Sequence, residues 1–280
     1  MEFSFECQPD KLDAASARAI AATSLCRLTQ VFGIPTQQAM ARPLELVVGV
    51  GGSQVLGDRM HVDPSAHGRR PVAQYFEQLC AHELTHWLLP PSPALLWEGL
   101  PVWLGDNYVR SRNGSSYHDW SRALVELGQA PHLHELLRGR TYYLERPSGY
   151  VDIVAGSFCG FLLERYGGAR VRESLQAFEP PSQMRPIVDV GPIVRGLGVA
   201  RFSALVDGWH DMLAQRVLDP ALVTTIQTRS ERSRSPGRLR CDLCFGPVSD
   251  ERCADCGAGA DLRTVVVTED ARARSNCRHQ

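Results

Sequence analysis

The chain has 280 residues, of which 44% are hydrophobic and 22% charged, with a formal net charge of -1. This is the composition of an ordinary globular protein with one sizeable core and room for a small appendage; it excludes a fibrous or disordered chain, and the near-zero charge excludes a global field steering it to nucleic acid or a lipid surface. Glu2 and Glu6 stand where a secretory signal would carry positive charge, and no later run reaches the ~18 apolar residues of a membrane helix, so the expectation is a cytoplasmic protein with no membrane contact.

In chain order, Asp10 is placed to cap a first helix running to about Gln30, with Leu12, Ala15, Ala19, Ala22, Leu25 and Cys26 in approximate helical period. Leu44 to Val50 reads as a strand, Gly51-Gly52 breaks it, and Arg59 to Pro64 alternates as a second strand, assigned to a sheet edge. Pro71 suits the start of a helix carrying Val72, Tyr75, Phe76, Leu79 and Leu84, which Pro90-Pro91 ends near Leu88 or Leu89. Further helices are predicted at about 119–127, 132–138, 150–166, 169–178 and 202–217. The fold class is therefore α+β: a mostly helical domain over 1–227 with a small N-terminal sheet. Residues 228–240, rich in Arg and Ser, have little to bury and are read as a basic linker to a module at 241–280.

The stretch His82-Glu83-Leu84-Thr85-His86 carries the chemistry. Histidines four apart share one face of a helix, so both imidazoles can reach a single ion from a rigid backbone. Neutral imidazoles leave zinc its Lewis acidity, and a carboxylate one residue round the helix can take a proton from water that attacks a carbonyl. Glu83 is thus the candidate general base. A third ligand is available in Leu96-Trp97-Glu98-Gly99, where prolines 90, 91 and 93 turn the chain back and Gly99 lets backbones approach closely. Two histidines and the Glu98 carboxylate leave one coordination position open, the mark of a catalytic rather than a structural zinc. Pro101 would interrupt a helix begun at 92–93, so that helix is expected to start near Leu96 or Trp97.

From Tyr75 to Phe178 these motifs resemble the gluzincin metallopeptidases, and within them the peptidase MA-like domains related in their cores to thermolysin and aminopeptidase N. The likeness rests on the His-Glu-x-x-His segment, the Leu96-Trp97-Glu98-Gly99 turn, Leu133-His134-Glu135-Leu136-Leu137, and the run from Tyr150 to Tyr166-Gly167. It implies a zincin-like catalytic domain, His82, His86 and Glu98 as ligands, Glu83 as base, and a peptide or protein substrate. By position it also suggests Tyr150 as a phenol near the ion, able to donate to an oxyanion. Tyr142, Tyr143, His118, His132 and His134 lie in the same stretch and are alternatives.

Near the C-terminus, Cys241-Asp242-Leu243-Cys244 and Cys253-Ala254-Asp255-Cys256 form two C-x-x-C knuckles, the pattern of a zinc ribbon with four thiolates and no open position. Cys241, Cys244, Cys253 and Cys256 would hold a second, structural zinc, which a module this small needs in order to fold. The ribbon is a candidate docking site for a protein partner. The linker arginines lack interleaved aromatics, and nucleic acid is not an expected partner. The remaining five cysteines are read as buried thiols. The leading functional expectation is a zinc peptidase, and the competing one is a non-catalytic binding or regulatory protein that uses the ribbon on an inactive scaffold.

Overall fold

The structure, a computed structural model, describes residues 2–5, 12–49, 52–64, 71–106, 115–145, 150–181, 187–229, 248–249, 252–253 and 266–268. A four-stranded sheet gathers near the N-terminus in the order β1 (Glu2–Phe5), β2 (Glu45–Val48), β4 (Arg59–Val62), β3 (Gln54–Leu56). The pairs β1–β2 and β2–β4 are parallel, and β3–β4 is an antiparallel hairpin. Leu46, Val47 and Val48 of β2 are all buried, as suits an interior strand covered on both faces. The expected edge strand at Arg59 to Pro64 is corrected here: β4 is interior. Pro64 lies beyond the last ladder pair at Val62, so its missing N–H costs no sheet hydrogen bond, and β3 takes the outer position.

The first long helix, α1 (Ala14–Val31), begins three residues later than expected. Its cap is Asp13, whose carboxylate accepts the Ser16 amide at 2.9 Å and the Ser16 hydroxyl at 2.7 Å; Asp10 lies outside the described residues. After the short α2 (Thr36–Met40) and the sheet, α3 (Val72–Leu88) packs on α1 and ends before Pro90-Pro91 as expected. Arg42 stacks 4.2 Å from the Trp87 ring centroid and donates to the Trp87 carbonyl at 2.9 Å, placing a cation at the negative end of α3.

The next helix, α4 (Ala94–Asp106), overturns the expected late start, since it begins at Ala94 and contains Pro101. The Leu96 and Trp97 amides both bond to the Pro93 carbonyl at 2.8 Å. An interior proline costs about 3 kcal/mol. Against that, Leu95, Leu96, Leu100, Val102, Trp103 and Leu104 are all buried, at about 1.5–3 kcal/mol each, so packing outweighs the local penalty. Between α3 and α8 (Tyr150–Tyr166), α4 is held close by two glycines. A Cβ at Gly105 would stand 2.9 Å from the Gln78 carbonyl oxygen on α3, and one at Gly99 would meet α8.

The remaining helices are α5 (Tyr117–Glu126), α6 (Leu133–Leu136), α7 (Gly139–Glu145), α9 (Gly168–Gln176), α10 (Gly191–Gly196), α11 (Phe202–Ala214) and α12 (Pro220–Arg229). The described part of the chain is thus a mostly helical α+β fold. Among the described residues no helix is long and apolar enough to cross a membrane. Cys80 and Cys159 are buried as expected, but Cys26 is exposed, because it lies about 100° round α1 from the buried Leu25. Cys7 and Cys277 lie outside the described residues.

Because α12 runs through Arg229, the first two residues of the expected linker are helical; 230–240 lie outside the described residues. So do Cys241, Cys244 and Cys256, while Cys253 contributes backbone to β7 (Arg252–Cys253), which pairs antiparallel with β6 (Val248–Ser249). A last strand, β8 (Val266–Thr268), returns to pair in parallel with β5 (Ile187–Asp189), so part of the C-terminal segment is hydrogen-bonded to the preceding domain.

Candidate metal centre

Helix α3 presents His82 and His86 one turn apart, with ring centroids separated by 5.0 Å and the rings edge to face. Helix α4 approaches across the turn through the prolines and brings in Glu98, which is only 6% exposed. His82 Nε2 lies 3.9 Å from Glu98 Oε2. One donor atom from each of His82, His86 and Glu98 lies within 4.8 Å of the others, so the three form a group that can hold a metal ion. Tetrahedral zinc with bonds of about 2.0–2.2 Å keeps its donors roughly 3.4 Å apart, so a small side-chain rotation separates this arrangement from ligation. The donor set fits such an ion: two imidazoles, one carboxylate, and no cationic side chain among the three.

Glu83 follows His82 and is also buried, at 5% exposure. Trp97, adjacent to Glu98, lies against His86 with centroids 4.5 Å apart and forms an apolar wall on that imidazole. Burial raises the Cys80 thiol far above its ordinary value, with a further push from nearby Glu83, and burial alone raises Cys159. Both thiols are therefore inert packing groups rather than nucleophiles.

The phenol at Glu98 comes from α7: the Tyr143 hydroxyl donates to Glu98 Oε1. Tyr150 opens α8 and is half-buried. The other candidates go elsewhere. His132 and His134 are exposed at the start of α6, and His134 has its ring 4.9 Å from Phe202. Tyr142 donates to Asp152 Oδ1 on α8 at 2.8 Å.

His118 belongs to a separate buried polar knot, which spacing in the sequence does not reveal. Its Nδ1 lies 2.8 Å from Ser157 Oγ, and the same hydroxyl accepts the Trp209 indole N–H at 3.0 Å, tying α5, α8 and α11 together. His118 Nε2 lies 3.4 Å from Glu164 Oε2. That contact holds the Glu164 carboxyl below its ordinary value despite partial burial, with Arg216 adding to the effect. Ser157 is completely buried, so the knot holds helices together and offers no accessible nucleophile.

No family model, curated protein or solved structure matches this chain.

Proposed function

We propose that this protein is a zinc-dependent metallohydrolase, of the gluzincin type and acting on peptide bonds. The observation that carries the reading is the convergence of His82, His86 and Glu98 from two helices, with Glu83, the buried residue that follows His82, on the same helix. Zinc bound to these three side chains would polarise a substrate carbonyl and lower the pKa of water.

The protein's own groups divide the remaining work. His82 and His86, as neutral imidazoles, and Glu98, as a carboxylate, supply donors and leave room for a further ligand. Glu83 takes the proton from the attacking water and passes it to the departing amine, which restores the carboxylate for the next cycle. Trp97 shields His86 from bulk water and limits the positions its ring can take. In the same reading, Cys241, Cys244, Cys253 and Cys256 hold a second, structural zinc in a C-terminal ribbon.

Zinc content and cleavage of a peptide library, measured on the same samples, test this function. The loaded wild type should cleave; Glu83→Gln should keep its zinc while the rate falls by roughly 10²–10⁴. A loaded wild type that cleaves nothing favours a binding or regulatory protein. Full activity in Glu83→Gln would falsify the general-base role.

A further inference from the structure

Helix α7 carries two adjacent tyrosines with different attachments. Tyr142 is fully buried and bonds Asp152 in the first turn of α8 at 2.8 Å, which fixes α7 against that helix. Tyr143, 6% exposed, reaches the other way and donates to Glu98 Oε1 on α4. The two rings meet edge to face with centroids 5.5 Å apart, so the place of Tyr143 depends on that of Tyr142.

The two oxygens of Glu98 therefore have different neighbours: Oε1 takes the phenol, while Oε2 lies 3.9 Å from His82 Nε2 on the side of the histidines. The terminal torsion of a glutamate is broad and nearly two-fold, so nothing within the side chain selects one oxygen over the other. A hydrogen-bond donor on one oxygen makes that selection. A phenol suits the task because it orients the carboxylate without neutralising it, whereas arginine or lysine would offset the charge a cation needs.

We propose that Tyr143 is a positioning residue of the metal centre: its hydroxyl holds Glu98 Oε1 so that Oε2 alone is offered to the ion, and Tyr142 fixes Tyr143 in place through Asp152. This rests on the reading of His82, His86 and Glu98 as ligands. Groups hydrogen-bonded to metal ligands affect affinity because they remove orientational freedom that binding would otherwise have to remove.

The test is the affinity of the His82 site for Zn²⁺, by competition with a chromophoric chelator, in the full chain carrying Cys241→Ser/Cys244→Ser so that the ribbon zinc does not contribute, with Tyr143 and Glu98 intact, with Tyr143→Phe, with Glu98→Ala and with both. Tyr143→Phe should weaken binding about 10–100-fold. In the Glu98→Ala background the same change should add little, because the carboxylate it orients is gone. A phenol that merely ties α7 to α4 would leave affinity unchanged, or would weaken it equally in both backgrounds; either result overturns the inference while leaving the metal centre intact. Wild-type affinity in Glu98→Ala would overturn the metal centre itself and the inference with it. X-ray absorption on the zinc-loaded Cys241→Ser/Cys244→Ser chain, with Tyr143 and Glu98 intact, should report a single-oxygen carboxylate ligand, and a two-oxygen mode would sink the proposal.

Discussion

Gly99 lies against Ala155 so closely that a Cβ at residue 99 would stand 2.7 Å from the Ala155 carbonyl oxygen, and equally close to Cys159 Sγ. The residue after the candidate ligand Glu98 is thus one of the points of closest approach between α4 and α8. Gly99→Ala should push the helices apart and cost about 1–3 kcal/mol of stability, the usual range for overpacking. Because Glu98 shifts with the backbone of α4, zinc affinity should fall as well. Chemical denaturation and zinc titration of the same preparation check both effects; unchanged affinity would mean that Glu98 is placed independently of this contact.

His86→Ala removes an imidazole donor and should separate metal-linked stability from the rest. A ligand that binds only the folded state stabilises it by about 2.7 kcal/mol when its free concentration is 100 times Kd. Adding zinc to chelator-treated wild type should therefore raise the melting temperature, and the rise should largely vanish in the variant. An equal rise in both would place the stabilising zinc elsewhere.

Ser157→Ala removes the hydroxyl shared by His118 and Trp209 and leaves two buried polar atoms with one fewer partner. Each such loss costs about 1–3 kcal/mol. The expected outcome is a lower denaturation midpoint with zinc affinity close to wild type, because the knot uses none of the three candidate ligands. A large loss of affinity would show that the knot and the metal centre are coupled through α8.

The start of α5 should make stability sensitive to acid. Burial pushes the Asp119 carboxyl up, but the Ser116 hydroxyl and amide, followed by Arg216 at 3.0 Å, outweigh it and hold the group below its ordinary value. A carboxylate lowered in the folded state contributes stability above its unfolded pKa and loses it as pH falls through the folded value. Asp119→Asn should therefore be less stable than wild type near neutral pH, by up to about 1 kcal/mol for the lost negative charge in the first turn of α5 and beside Arg216, with the gap closing in acid. A gap that stays constant with pH would remove the charge from the explanation.

The pairing of β8 with β5 predicts that a chain ending at residue 229 exposes the amides of Ile187–Asp189. Hydrogen exchange of that segment should accelerate on truncation, while α3 and α4 keep their protection. Cys241→Ser/Cys244→Ser should lose one zinc of about two, with the His82 site still loaded. Loss of both ions would mean that the C-terminal segment supports the first site.

Local chemistry made much of this protein legible before any contact was known. His82 and His86 announce a shared helix face because helical periodicity alone brings residues four apart together. The end of α3 follows from Pro90-Pro91, and Tyr150–Tyr166 ends as a helix at the expected bound because the run meets Gly167. Contacts distant in sequence were not legible. Pro101 sits inside a helix because burial between α3 and α8 outweighs a local penalty, and no window of sequence contains that burial. β4 is interior because two segments that precede it, β2 and β3, pair with its two edges. Tyr143 rather than a neighbour reaches Glu98 because Tyr142 fixes α7 on α8, and the Ser157 knot joins residues separated by 39 and 52 positions. The sequence by itself thus determined which chemical groups are present and their order along each element; only the tertiary structure decided which of them meet, because such meetings depend on how whole helices pack.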